Sequence, residues 1–453
     1  MTNGMRVAVV GLWHLGTVAA ACLSAFGHRV VGIDPNPEIV ANLKKGTPLI
    51  FEPGLSELVN EGIGRGSLTF TTDIKSGVDC ADAVMIAFDT PVRDDDTSDL
   101  TPILGSIGVM TDHLNEGCLL VISSQVPVGT CDKIKEMLTK SRPSLHFGIA
   151  CVPENLKLSD AIARYKAPDF LVIGADTTEA SEKARRLYWF VNADVVKTDL
   201  KTAETVKHAI NSFLACQISF TNELGNICDL YGVDMLRIAD VMKLDPRIGK
   251  DAFLRPGLGF SGGTLARDVT VLRGLGQMHS TETVMLDAII RVNERQKKIV
   301  VERLSAIFGR LDGLSVGVLG LTYKPGTSTL RRSLALEIIK NLCQKGVVIK
   351  AYDPKADFTE MHLNANFEKC EDAAAAVDEV DALVILTGWP EFKEIDYKRL
   401  KLKMRHPVII DTANMLDAEA LEGLGFIYSG IGRGQVGVMG MAKSDRDAWK
   451  DTK

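Results

Sequence analysis

Long apolar runs are missing from this chain. No hydrophobic stretch approaches the length that crosses a bilayer, so a membrane span is not expected. No basic segment followed by an apolar one precedes Met5, so no signal peptide is expected either. The nine cysteines show no C-x-x-C spacing. Their spacing argues against a zinc site, and their odd number argues against a disulfide framework. Reduced thiols, no metal and a cytoplasmic location are the expectation. An excess of positive charge is also missing: 52 Lys and Arg face 58 Asp and Glu, a net charge of −6. Nucleic acid and membrane surfaces are therefore poor partners, and an anionic substrate would need local cations.

What is present reads as an ordinary globular chain, with 453 residues, 46% hydrophobic and 24% charged. That length is too great for one core and predicts two or three domains. The first segment carries a nucleotide-binding pattern. An apolar run, Met5 to Val10, leads into Gly11-Leu12-Trp13-His14-Leu15-Gly16, then an Ala-rich stretch, then Val30 to Ile33 and Asp34. The order is strand, tight turn, helix, strand, acidic residue. A helix N-terminus offers unpaired N–H groups to a diphosphate. Asp34 stands where a carboxylate accepts ribose hydroxyls and repels a 2′-phosphate, which points to NAD rather than NADP. One glycine of the fingerprint is absent. Trp13 holds the middle position, where a missing side chain normally lets backbone touch the diphosphate.

Strands are expected at Arg6–Val10, Arg29–Ile33, Ala83–Phe88, Cys118–Ser123, Phe147–Val152 and Phe170–Ile173. Their alternation with helical segments predicts a doubly wound parallel sheet. Helical patterning takes over at Thr202–Leu230, Leu265–Leu275 and Glu282–Phe308, as an all-helical connector of the kind that often forms a dimer surface. Leu314–Leu319, Ser333–Lys345 and Val347–Tyr352 before Asp353 repeat the first unit without its glycines, and Ala382–Leu386 and Val408–Asp411 add strands. The expected class is α/β, with two Rossmann-like doubly wound domains joined by a long central helix within a helical dimerisation region. The expected division is 1–200, 201–310, 311–440 and a polar tail, 441–453.

Two features of the middle segment can carry chemistry. Lys207 and Asn211 share one helical face among apolar neighbours. A lysine near a buried face can serve as acid, base or charge stabiliser. Spacing alone favours a snorkelling lysine and a satisfied asparagine. The loop Gly259-Phe260-Ser261-Gly262-Gly263-Thr264 precedes a helix that would hold Asp268 in its first turn. Such a loop can wrap a ligand closely, or merely connect.

Taken in order, these pieces resemble the UDP-glucose/GDP-mannose dehydrogenase family almost end to end. The resemblance runs through Gly27-His28 with Asp34, Glu52-Pro53-Gly54-Leu55, Thr90-Pro91, Val126 to Thr130 and Pro153-Glu154. It continues through Lys207 with Asn211, Asn222-Glu223, Asp245 to Gly249, Gly259 to Asp268, Lys324-Pro325, Thr327, Arg331, Tyr352-Asp353-Pro354, Gly425-Phe426 and Gly432-Arg433. It implies oxidation of the C6 alcohol of a nucleotide sugar to a carboxylate with two NAD, in a homodimer serving polysaccharide biosynthesis. The first domain would bind NAD through Gly11, Trp13, His14, Leu15, Gly16, Asp34, Thr90 and Pro91. The last would bind the nucleotide, UDP by family frequency. Lys207 would stabilise oxyanions, Asn211 and Asp268 would position reacting groups and water, and Glu154 would move protons. Gly259, Phe260, Gly262 and Gly263 would line the substrate, Arg247 would reach a partner's substrate, and Lys324 would hold the diphosphate.

The chain departs from the family where the chemistry lies. Thr264 stands in place of the nucleophilic cysteine, and Gln125 in place of a water-binding threonine. Asn155, Leu158-Ser159, Phe170 and Ala413 differ around the sugar as well. A cysteine starts near pKa ~8.5 and ionises readily beside cations, whereas a threonine needs a dedicated base. The expectation is a two-electron NAD oxidoreductase on the CH–OH group of a nucleotide sugar. Full four-electron oxidation through an aldehyde hydrate, and a catalytically silent nucleotide-sugar-binding paralogue, are the alternatives.

Overall fold

A computed structural model describes residues 4–90, 98–154, 156–157, 159–261, 263–360 and 366–434. Pro91, Asn155, Leu158, Gly262 and the tail 441–453 lie outside the described residues. The chain forms two compact units, 1–210 and 211–453.

The first unit is built on an eight-stranded sheet. In chain order the strands are β1 (Arg6–Val10), β2 (Arg29–Ile33), β3 (Leu68–Thr71), β4 (Ala83–Ile86), β5 (Cys118–Ile122), β6 (Phe147–Cys151), β7 (Phe170–Ala175) and β8 (Asp194–Thr198). They lie in the order β3-β2-β1-β4-β5-β6-β7-β8. Along β1, Val7 and Val9 enter one core while Ala8 and Val10 enter the other. An unbroken apolar run, here Val7 to Val10, is what a sheet buried on both faces requires. The strand order reverses direction between β1 and β4, which opens a crevice beyond their carboxyl ends. Two features differ from expectation. Strands β3 and β8 form from short segments with exposed positions, where the apolar signal is weak. The β6–β7 pairing is antiparallel, Ala150 facing Ala175, so the sheet is not wholly parallel.

The helix His14–Ala25 packs on β1 because its residues are small. A Cβ on Gly16 would sit 1.6 Å from the Gly11 carbonyl, so only glycine lets helix and turn approach this closely. Gly11 itself turns with φ +93°, in the left-handed region that favours glycine.

A helix of 32 residues, Leu200–Tyr231, starts in the first unit and continues in the second. The second unit adds helices Met235–Leu244, Leu265–Met278, Val284–Gln296 and Ile299–Phe308. The helical patterning expected over Glu282–Phe308 resolves into two helices, broken at Lys297–Lys298 with no glycine or proline to signal the break. Six strands follow: β9 (Ser315–Leu319), β10 (Val348–Tyr352), β11 (Glu368–Lys369), β12 (Ala382–Ile385), β13 (Val408–Asp411) and β14 (Ile427–Gly430). Their order, β11-β10-β9-β12-β13-β14, reverses between β9 and β12.

The two sheets repeat one local device. Gly11 N donates to Ile33 O at 2.8 Å, and Leu12 N donates to Asp34 Oδ2 at 2.8 Å. In the second unit, Gly320 N donates to Tyr352 O at 2.9 Å and Leu321 N to Asp353 Oδ2 at 2.7 Å. Gly320 turns with φ +87°. In each sheet the acidic residue ending the second strand ties down the loop that leaves the first. This carries the fold's most specific sequence feature into hydrogen bonds.

Candidate active site

In the first unit, the crevice beyond β1 and β4 collects most of the expected cofactor residues. Trp13 is the N-cap of its helix, with φ −76° and no side-chain capping bond. Its φ lies outside the left-handed region that favours glycine, and the residue is 39% exposed. His14 turns away from the loop: its Nε2 lies 3.0 Å from Glu52 Oε2, and both side chains are buried. Glu52 also accepts Ser159 N and Ala161 N, each at 2.9 Å. Leu15 is buried, and its N–H donates to Asp89 Oδ2 at 3.2 Å. Asp34 Oδ1 accepts Asn36 N at 2.9 Å, so the carboxylate serves the loop as well as any ribose. Thr90 is buried and donates its hydroxyl to Gln125 O at 2.7 Å.

Gln125, in place of the water-binding threonine that the resemblance implies, engages its amide nitrogen within the protein. That nitrogen lies 3.0 Å from His208 Nδ1, in a buried contact between residues 83 apart in sequence. Lys207 is paired: its Nζ donates to the Glu154 carbonyl at 2.5 Å and lies 3.2 Å from Glu154 Oε1, with both side chains mostly shielded. Glu154 Oε2 also accepts Leu156 N at 2.5 Å. An ammonium and a carboxylate held this way can stabilise an oxyanion and shuttle a proton.

In the second unit, Asn211 Nδ2 donates to Asp268 Oδ2 at 2.5 Å. Asp268 is fully buried in the first turn of Leu265–Met278, and Arg267 Nε lies 3.0 Å from its Oδ1. Sequence reading missed Arg267. Its signal, a cation immediately before the acid, was present. Thr264 caps that helix without a side-chain bond and is exposed. The glycine loop is stitched rather than loose. Asn293 Oδ1 accepts Phe260 N and its Nδ2 donates to Phe260 O, each at 2.8 Å. A Cβ on Gly259 (φ +94°) would meet Asn293 Oδ1 at 2.2 Å. Phe260 was expected to touch substrate, but its ring is buried among Ala215, Ala266, Val269 and Ile289. Gly263 is half-buried just before Thr264. Arg247 folds onto Asp245, its Nε 3.0 Å from Oδ1, and its side chain is 88% exposed.

A cleft of about 180 Å³ lies beyond β9 and β12, at the reversal of strand order. Leu258, Gly259, Thr322, Tyr323, Ser333 and Thr387 are among its walls. Lys324 follows Tyr323 on the same loop, half-buried. Among the described residues, no cluster of three His, Cys, Asp or Glu could hold a metal, and no helix is long and apolar enough to cross a membrane.

Residues 5–192 match the NAD binding domain of the UDP-glucose/GDP-mannose dehydrogenase family, 201–295 its central domain and 317–418 its UDP binding domain. UDP-glucose 6-dehydrogenase TuaD of Bacillus subtilis is 36% identical over 443 residues, 97% of this chain and 95% of the relative. The chain belongs to this family. Among solved structures, a UDP-glucose dehydrogenase from Pyrobaculum islandicum is similar with TM-score 0.86 and 32% identity, covering 95% of this chain and 98% of that one. A UDP-D-ManNAc dehydrogenase from Pyrococcus horikoshii is similar with TM-score 0.85 and 28% identity, covering 95% and 100%. As a family member the chain is an oxidoreductase with NAD as cofactor. The residues present fit that cofactor: the Gly11–Gly16 approach is one a Cβ would fill, and the carboxylate of Asp34 directly follows β2.

Proposed function

We propose that this chain removes two electrons from the CH–OH group of a nucleotide sugar, a UDP-sugar by preference, and releases a carbonyl product. NAD, when bound, supplies the electron acceptor. Lys207 holds the substrate oxygen as it gains charge, and Glu154 takes its proton. Asn211 and Asp268 orient the reacting group. Asp34 and Thr90 with Pro91, and the turn from Gly11 through Trp13, His14 and Leu15 to Gly16, hold the dinucleotide. Gly259, Gly262 and Gly263 allow close approach of the sugar, and Lys324 meets the diphosphate near the cleft beyond β9 and β12. The division into 1–200, 201–310 and 311–440 follows these tasks.

The observation that carries the two-electron reading is Thr264, exposed at the head of its helix, at the position where the family resemblance implies a nucleophilic cysteine. A threonine hydroxyl has no thiolate equivalent near neutrality. Several buried thiols are poor substitutes. Burial pushes Cys22 up to about 12 and Cys118 up to about 11, and Cys131 is raised by its buried neighbour Cys151 and by its own burial. All nine cysteines are free, which supports a reducing compartment, and we assign the cytoplasm.

The test is electron stoichiometry on a nucleotide-sugar panel, with mass spectrometry of products. One NADH per product and an aldehyde or keto sugar are expected. Two NADH and a carboxylate would replace this reading with the four-electron one. Thr264→Cys should then increase acid formation, and no gain in a folded variant would show that the pocket differs beyond this residue.

We also infer a homodimer. Phe213, Phe220 and Ile227 recur every seven residues on the long helix and are 63%, 51% and 48% exposed. Leu230 and Tyr231, three and four residues beyond Ile227, extend this stripe, and Val241 and Leu244 are exposed on the next helix. A contiguous patch of this kind marks a contact face. Arg247, directed outward, then serves the partner's substrate. Phe220→Asp should convert the dimer to a monomer in light scattering with an unchanged circular dichroism spectrum. A dimer that persists would remove this face.

A further inference from the structure

The carboxylate of Asp89 has no role in the chemistry described above, yet it holds a notable position. β4 ends at Ile86, and Ala87-Phe88-Asp89 carry the chain into the crevice. There Asp89 Oδ2 accepts the N–H of Leu15 at 3.2 Å. Leu15 is the second residue of a 12-residue helix whose N-cap, Trp13, supplies no side-chain acceptor. Asp89 therefore does, from 74 residues away, what a capping side chain would do locally. A dinucleotide's diphosphate takes its hydrogen bonds from this same first turn. One donor of the cofactor's seat is already engaged by an anion of the chain itself.

The surroundings add to the conflict. His14 on the helix, Glu154 after β6 and Lys207 on the long helix all act on Asp89 electrostatically. Lys207 is committed to Glu154 and His14 to Glu52. Among the described residues, the two cations that act on Asp89 are thus each paired with another carboxylate. Burial, with Glu154 adding to it, raises the Asp89 carboxyl above its ordinary range, against the opposing pull of the Leu15 N–H, His14 and Lys207. A diphosphate arriving beside it adds further negative charge.

We propose that Asp89 is an affinity-determining residue that occupies the diphosphate seat, and that dinucleotide binding releases it from the Leu15 N–H and protonates it. Cofactor affinity then carries a proton. Binding favours the neutral carboxyl, so affinity is greatest at low pH and weakens as pH rises through the free protein's Asp89 pKa. The limiting slope is about tenfold per pH unit. The inference rests on the cofactor and not on the sugar chemistry proposed above, so either can fail alone.

The test is NADH titration of the full chain without substrate, by fluorescence across pH and by calorimetry in buffers of different ionisation heat. The parent should take up a substantial fraction of one proton per NADH. Asp89→Asn keeps a capping acceptor and removes the charge. It should bind NADH about tenfold more tightly above neutrality, lose the pH slope and take up almost no proton. Asp89→Ser, another good cap, should behave alike and guards against misfolding of the first variant. NADH binding by the parent without proton uptake would overturn the proposal. So would uptake unchanged in a folded variant, which would place the proton elsewhere, as on His14.

Discussion

Lys207→Ala should lower kcat roughly 10³-fold while NADH affinity stays within a few-fold of the parent. The ammonium is anchored twice on Glu154, once by the carbonyl oxygen and once by the carboxylate at 3.2 Å. That anchoring fixes the charge before reaction begins, so stabilising an oxyanion needs little reorganisation. Removing it also takes from Glu154 the ammonium 3.2 Å from its Oε1, so the carboxylate loses the cation that holds it in place. The loss should therefore fall on kcat and spare cofactor binding. Stopped-flow NADH formation, with NADH binding measured separately, checks both parts. Retained turnover would remove Lys207 from the reaction.

Asp353→Ala should destabilise the second unit by about 3–5 kcal/mol while leaving NADH binding in place. Asp353 is buried, and its Oδ2 accepts Leu321 N at 2.7 Å, Thr322 N at 2.9 Å and Trp389 Nε1 at 3.1 Å. Its Oδ1 accepts Lys355 N and Ala356 N. Alanine would strand several buried N–H groups, each costing about 1–3 kcal/mol, and some would relax toward water. Thr322 and Tyr323 line the cleft, so nucleotide affinity should fall with stability. Urea unfolding followed by Trp389 fluorescence measures the first effect and UDP calorimetry the second. An unchanged midpoint would show that the loop holds itself.

Much of the fold was legible because its signals are local. Gly11, Gly16 and Asp34 lie within one strand–helix–strand unit, and each has a steric or hydrogen-bonding task that a sequence pattern encodes. The echo at Asp353 was readable for the same reason. The sheet's antiparallel step at β7 and the helix break at Lys297 were not: strand direction leaves no mark on apolar patterning, and the helix break carries no glycine or proline. Site residues followed the same division. The partnership of Asn211 with Asp268 joins residues 57 apart and is invisible to helical spacing, which favoured a plain satisfied asparagine. Phe260 sat in a ligand-like loop, yet its ring fills a core pocket while Asn293 binds its backbone. Gln125 looked available until His208 met it across the fold. Asp89 was one acidic residue among 58, and only its distance to Leu15 N sets it apart.

The tether from Asp34 to Leu12 bears on any attempt to retarget this protein to a phosphorylated dinucleotide. The usual strategy swaps the acidic residue after the second strand for a small or basic one to admit the extra phosphate. Here that exchange would also untie the glycine turn, because Leu12 N donates to the same carboxylate. A redesign that keeps an oxygen acceptor at this position, and introduces the cation on a neighbouring residue, preserves the turn.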